Sequence, residues 1–196
     1  MSFVNYAAFN DPSSRKMAMG VDLRTKNAFV DLKGRVLIYA QTGGMLNPSR
    51  YELHPGTMVF RFGAESAGWE NVAKGSWWVE KPEFEKLLAF AQEFDISIGM
   101  AVRSLCLVPP EWSALTLLVR ARVTEPLLAW RGLANSVVTP AADGGPMVRM
   151  PHQNDISGRR LNQLFVPGLG QRGGLSVENT YPLDARGSKR GFIYML

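Results

Sequence analysis

G-S-W-W-V-E-K-P-E-F-E-K-L-L-A-F-A-Q, residues 75–92, changes its period halfway along. Up to Glu80 it reads as a strand, whose successive side chains point to opposite faces, so Trp77 and Trp78 cannot both enter one core. After Lys81 it reads as a helix. Pro82 suits the first helical turn, and Glu83 and Glu85 suit the positive end of the helix dipole. Phe84, Leu87, Leu88, Ala91 and Phe94 then fall at i, i+3, i+4, i+7 and i+10, one apolar face. Two readings of Gly75–Trp78 stand side by side. Either an indole is plain core and Ser76 starts a strand, or an indole walls a pocket for a flat base and the Ser76 hydroxyl bonds a ribose or carboxamide.

Downstream, Asp95 is a candidate cap for a second helix carrying Ile98, Ala101, Val102 and Leu105 on one face, with Pro109-Pro110 to stop it. L-T-L-L-V-R-A-R-V, 115–123, begins as a continuous apolar run and then alternates, as a central strand with one wet end does. N-Q-L-F-V-P-G at 162–168, G-L-S-V-E-N-T-Y and G-F-I-Y-M-L read as further strands, and 139–158, rich in Pro and Gly, reads as a long loop. Upstream, A-F-V-D-L at 28–32 and R-V-L-I-Y-A-Q at 35–41 read as strands joined by a tight K-G turn. T-G-G-M-L-N-P-S-R reads as a loop and T-M-V-F-R-F-G, 57–63, as a strand. Strands at both ends with two helices between them predict an α+β domain over 21–196, with a mixed or antiparallel sheet, preceded by a loose arm at 1–20.

The chain has 196 residues, 46% of them hydrophobic, enough for one domain with a sizeable core. A single cysteine, Cys106, precludes an internal disulfide and fits a reducing compartment; within S-L-C-L-V it reads as buried and inert. No apolar run reaches the length of a membrane span and the N-terminus lacks the pattern of a signal peptide, so the expected location is cytoplasmic. The net charge of +5 suits an acidic protein surface or a phosphate-bearing ligand. Its basic residues are dispersed among acids, with the densest excess at Arg159, Arg160, Arg172, Arg186, Lys189 and Arg190, and no nucleic-acid-reading motif accompanies them.

Several chemistries find little support. His54 and His152 lie far apart beside prolines, without partners at metal-ligand spacing, and neither fits a serine triad. G-L-G-Q-R-G-G, 168–174, lacks the strand–loop–helix setting of a phosphate loop and reads as a hairpin loop. Arg61 is different. It lies in a strand whose other residues, Met58, Val59, Phe60 and Phe62, are apolar, so its charge needs a partner. A structural ion pair and a bidentate phosphate or carboxylate ligand are equally good readings.

In order, these segments resemble the arginine–serine–glutamate branch of the ADP-ribosyltransferase superfamily. The similar motifs are an aromatic-arginine strand (V-F-R-F-G), a glycine-serine aromatic strand leading into a helix (G-S-W-W-V-E-K-P-E-F-E-K-L-L-A-F-A), and a late strand (N-Q-L-F-V-P-G), together spanning roughly 57–168. The resemblance implies that Arg61 grips the pyrophosphate or ribose of NAD and that Ser76 holds neighbouring strands or the ribose. It further implies that Trp77 or Trp78 walls the nicotinamide pocket and that the 139–158 loop lies near substrate. In that chemistry a carboxylate hydrogen-bonds the ribose hydroxyl as an oxocarbenium-like ribose forms. Here the glutamate position reads Gln163, and Leu161 stands where arginine-modifying transferases carry another acid. An amide can bond a ribose hydroxyl but supplies no negative charge, a loss on the order of 10²–10³ in rate. Glu178, and more remotely Glu125, are the candidates to replace that charge.

Two functional expectations follow from the resemblance, and a third from the charge. One is a non-catalytic or weakly catalytic protein of this fold, from a bacterium or a plasmid or phage, that inhibits a partner protein with an acidic surface, for example in plasmid transfer. The second is an active NAD-dependent transferase or NAD glycohydrolase. The third is a nucleic-acid-binding accessory protein. Fold alone does not choose among them.

Overall fold

The strand–helix boundary read at Glu80/Lys81 stands in the computed structural model of the protein, which describes residues 2–20, 28–30, 33, 36–39, 43–139, 148–150 and 160–183. In chain order the elements are α1 (Tyr6–Phe9), α2 (Ser14–Ala18), β1 (Ala28–Val30), β2 (Val36–Tyr39), β3 (Met45–Leu53), β4 (Met58–Gly63) and α3 (Trp69–Ala73). They continue as β5 (Trp77–Glu80), α4 (Lys81–Glu93), α5 (Ile98–Cys106), β6 (Leu117–Val123), β7 (Leu127–Ala134) and β8 (Val137–Thr139). The last are β9 (Val148–Met150), β10 (Asn162–Phe165), α6 (Leu169–Arg172) and β11 (Leu175–Pro182). Seven strands form one sheet in the order β11-β6-β4-β5-β10-β7-β3, with every pairing antiparallel, so the protein is of the α+β class.

Alternation along the strands divides the core in two. On one face, Phe60, Val79 and Leu118 meet Phe84, Leu87, Phe90 and Ala91 of α4 and Ile98, Ala101, Val102 and Leu105 of α5. Phe60 and Phe84 stack with ring centroids 4.0 Å apart. On the other face, Val59, Trp78, Val119, Ala121, Leu127, Ala129 and Leu164 are capped by Val72 of α3 and Leu169 of α6. The two tryptophans accordingly part: Trp78 is buried in this second cluster, while Trp77 packs with Met45, Phe165 and Trp130 in a third.

The apolar faces expected for α4 and α5 are the buried ones, but the cap of α5 is not Asp95. Ser97 Oγ accepts a hydrogen bond from the Met100 amide at 3.1 Å, and Asp95 occupies the left-handed region (φ 51°) in the turn between the helices. The helix ends at Cys106, ahead of Pro109, because Leu107 turns left-handed at φ 53°.

Three sequence expectations are corrected. The stretch 42–50, expected as a loop, supplies most of β3, an edge strand paired with β7 from Met45↔Ala134 to Leu53↔Leu127. Pro48 is tolerated there because the register shifts between Leu46 and Ser49, so no ladder bond is demanded of it. G-L-G-Q-R-G-G is no hairpin loop; it contains α6, since β10 and β11 are separated by β5, β4 and β6 and cannot be joined by a tight turn. The first twenty residues, expected as a loose arm, hold α1 and α2 against the sheet. Phe9 and Ala18 are buried, Phe9 stacks on Trp130, and the fully buried Asn5 side chain donates to Leu128 O (2.8 Å) and Pro167 O (3.0 Å) and accepts from Leu128 N (2.9 Å). A buried amide satisfied three times over is a docking device.

β1 and β2 form the expected hairpin, and within the segment expected as a long loop Val148–Met150 pairs with β8. The strand expected at G-F-I-Y-M-L lies outside the described residues. No described helix is long and apolar enough to cross a membrane.

Candidate functional site

The sheet is nearly divided between β4 and β5. These strands pair only at Val59↔Glu80 and Phe60↔Val79, although each continues towards the same end of the sheet. Beyond Phe60 the ladder stops, and a side chain takes its place: Arg61 Nη1 donates to the Trp77 carbonyl at 2.6 Å. The guanidinium fits there because residue 75 has no side chain. A Cβ on Gly75 would lie 2.0 Å from Arg61 Nη2 and 2.2 Å from its Cζ. The glycine of G-S-W-W is thus the seat of the arginine, a role that no local turn rule reveals.

A cavity of about 240 Å³ opens at this division, between the sheet and the α5–β6 connection. Arg61, Trp77, Trp78 and Gln163 all line it, so four residues drawn from three separate strands in the sequence meet at one place. Phe60, Phe62, Val102, Cys106, Val108 and Trp112 complete much of an apolar wall, and no carboxylate belongs to the lining among the described residues. Such a cavity, mostly apolar with a few convergent polar groups, is the usual form of a small-molecule site.

Arg61 is the charged group of that lining. Its Nε is buried and without a hydrogen bond, and among the described residues no carboxylate pairs with it. Burial pushes its pKa down to about 10, which still leaves it cationic at neutral pH. The ion-pair reading of this residue therefore lacks its partner within the described chain, and the anion-ligand reading retains its geometry. Gln163 is buried, and its Nε2 donates to the Cys106 carbonyl at 3.0 Å. That bond fixes the amide, in a residue that lines the cavity, and leaves Oε1 as its acceptor. The Cys106 thiol is pushed up to about 12 by burial first and by nearby Glu83 second, so it is no nucleophile at neutral pH.

Other candidates fall elsewhere. The Ser76 carbonyl accepts from the Val166 amide at 2.7 Å, which ties the end of β10 to β5 through backbone, and Ser76 is not part of the cavity lining. Glu178 is on the edge strand β11, ion-paired with Arg122 and, at 3.3 Å, with Arg120; it does not line the cavity. Glu125 is exposed beyond the end of β6. His54 is exposed and His152 lies outside the described residues.

Two parts of the site carried no signal strong enough to single out. Trp112, beyond the Pro-Pro pair, lines the cavity yet remains 43% exposed. Arg103 fastens its loop, donating to the carbonyls of Val108 (3.2 Å), Ser113 (2.9 Å) and Ala114 (3.3 Å). Glu83, expected only to suit the positive end of the helix dipole, is buried and accepts from the backbone amide of Asn162 at 3.1 Å, next to Gln163.

No protein-family model matches the sequence, and no curated protein does. Among solved structures the chain is similar to one described as Tne2 in complex with Tni2, at a TM-score of 0.43 and 13% identity, covering 74% of this chain and 98% of the other. It is also similar to one described as Rhs1-CT in complex with its cognate immunity protein RhsI1, at a TM-score of 0.43 and 14% identity, covering 72% and 85%. A likeness at these scores carries no argument about this chain.

Proposed function

We propose that this chain is an ADP-ribosyltransferase-like protein of a bacterium or mobile element that holds NAD in the Arg61 cavity, turns it over weakly, and acts by modulating a partner protein. One observation carries the reading: a buried guanidinium without a described carboxylate partner, seated by Gly75 in a cavity walled by indoles. An anion that approaches Arg61 recovers the desolvation cost of the cation, and an indole offers a flat apolar face to an aromatic ring. NAD carries both groups. Gln163 Oε1 can accept from a ribose hydroxyl but adds no negative charge, and Glu178 is engaged elsewhere, so catalysis lacks about 10²–10³ in rate. The net charge of +5 favours a partner with an acidic surface.

The second reading, an active transferase or glycohydrolase, is favoured by the placement of Gln163 within the cavity. In that reaction the bond from ribose to nicotinamide breaks, nicotinamide leaves with the bonding pair, and water or a partner nucleophile adds to the ribose and loses a proton. Calorimetry with NAD, run beside a nicotinamide-release assay, separates the two. The expected result is binding with slow release, lost in Arg61→Ala and unaltered in Glu178→Ala. Rapid release that disappears in Gln163→Ala selects the second reading. No heat from folded protein removes both.

A further inference from the structure

We infer that Trp112 is the residue that makes the site prefer a dinucleotide, by stacking its indole on the outer, purine base. The inference rests on the NAD reading above and specifies one contact within it.

Size is the first argument. Sites that enclose a drug-sized ligand measure about 300–1,000 Å³, and NAD is larger than such ligands, whereas this cavity is about 240 Å³. The cavity therefore takes only part of the dinucleotide. With its phosphate at Arg61, one nucleotide half fills the interior and the other lies over the mouth.

Trp112 is at that mouth. It lines the cavity yet 43% of it remains exposed, against 2% for Trp78. An indole that is half wet and half packed presents a face to whatever enters. Its position is also built. A Cβ on Gly43 would come within 3.0 Å of the Trp112 ring, so the absence of a side chain there lets the ring lie close to the backbone. The loop that carries it has Leu107 and Leu115 in the left-handed region, both at φ 53°, and is pinned by the three bonds from Arg103. Leu107 also ends α5, but the left-handed Leu115 and the Arg103 cross-link hold one aromatic side chain at a cavity entrance, beyond what ending the helix needs.

Stacking a base on an aromatic side chain contributes roughly 5- to 150-fold in affinity. Nicotinamide mononucleotide lacks the purine and supplies the comparison. In calorimetry, wild-type protein is expected to bind NAD at least about tenfold more tightly than the mononucleotide. Trp112→Leu, which keeps an apolar side chain beside Gly43, should lose most of that advantage while its affinity for the mononucleotide stays within about twofold. Trp112→Phe keeps an aromatic face and should retain an intermediate ratio, and a melting curve for each variant verifies folding. An unchanged ratio in Trp112→Leu, or an equal loss for both ligands, overturns the role of Trp112 while leaving NAD binding intact. If neither ligand binds wild type, the NAD reading itself falls, and this inference falls with it.

Discussion

Arg61 and Arg131 are both partly buried arginines on strands within the sheet, and they are treated in opposite ways. Arg131, on β7, has Glu83 Oε1 at 3.3 Å, Glu80 Oε2 at 3.5 Å, and the Tyr51 ring 5.1 Å from its Cζ. Tyr51 in turn donates to Glu80 at 3.0 Å, and its phenol is pushed up, by burial first and by Glu80 second. Glu83 adds the Asn162 amide and Lys86. Arg61, three strands along the sheet from β7 and its ion pairs, has one backbone carbonyl and, among the described residues, no carboxylate. The first arrangement joins α4, β5, β7 and β10. The second leaves a cation unspent beside a cavity. Among the described residues, the arginine paired with carboxylates ties elements together, and the arginine without a described carboxylate lines the candidate site.

That contrast can be broken by mutation. Glu83→Ala strips the paired arginine of its buried partner and should cost about 3–5 kcal/mol in urea denaturation; a loss within ~0.5 kcal/mol, typical of a surface change, would show that the network is ornamental. Gly75→Ala drives a methyl group into the guanidinium, so it should destabilise by about 1–3 kcal/mol and weaken NAD binding at least tenfold in calorimetry. Arg61→Met should act in the opposite direction on stability. Removing a buried cation that has no described carboxylate partner is expected to raise unfolding free energy by about 1 kcal/mol while abolishing NAD binding, the signature of a residue retained for function.

The smallest effect concerns Cys106, whose carbonyl accepts from Gln163 and whose thiol feels the charge of Glu83. Its thiol ionises near its ordinary value when unfolded but only near about 12 when folded. Above the unfolded value the unfolded chain has lost the proton that the fold keeps, so stability declines as pH rises from about 9 towards 12. By pH 10 the difference between wild type and Cys106→Ala should shrink by about 1 kcal/mol; a pH-independent difference in denaturation midpoints would contradict a buried thiol.

The sequence made the local elements legible where one period was clean. Phe84, Leu87 and Ala91 define α4 unaided, and Met58 to Phe62 define β4. The edge strand β3 was hidden because Pro48 and two glycines carry loop chemistry, and only its partner β7 shows how a bulge absorbs the proline. For the site, Arg61, the tryptophans and Gln163 were identifiable as residues whose chemistry exceeds what a core requires. Their convergence depends on strand order, which no local pattern encodes. Gly75 shows the limit best: its missing Cβ matters only because residue 61, on another strand, reaches across to it.

The buried Asn5 amide also governs the order of events during synthesis. Its acceptors, Leu128 and Pro167, lie 123 and 162 residues further along the chain. At ribosomal rates of 5–20 residues per second, Asn5 waits about 6–25 s for Leu128 to be made. Throughout that interval Phe9 has no Trp130 to stack on, and the α1–α2 segment is available to chaperones or to competing contacts. The segment closest to the start of the chain is thus among the last to find its place, and its docking reports that β7 and the turn after β10 have already formed.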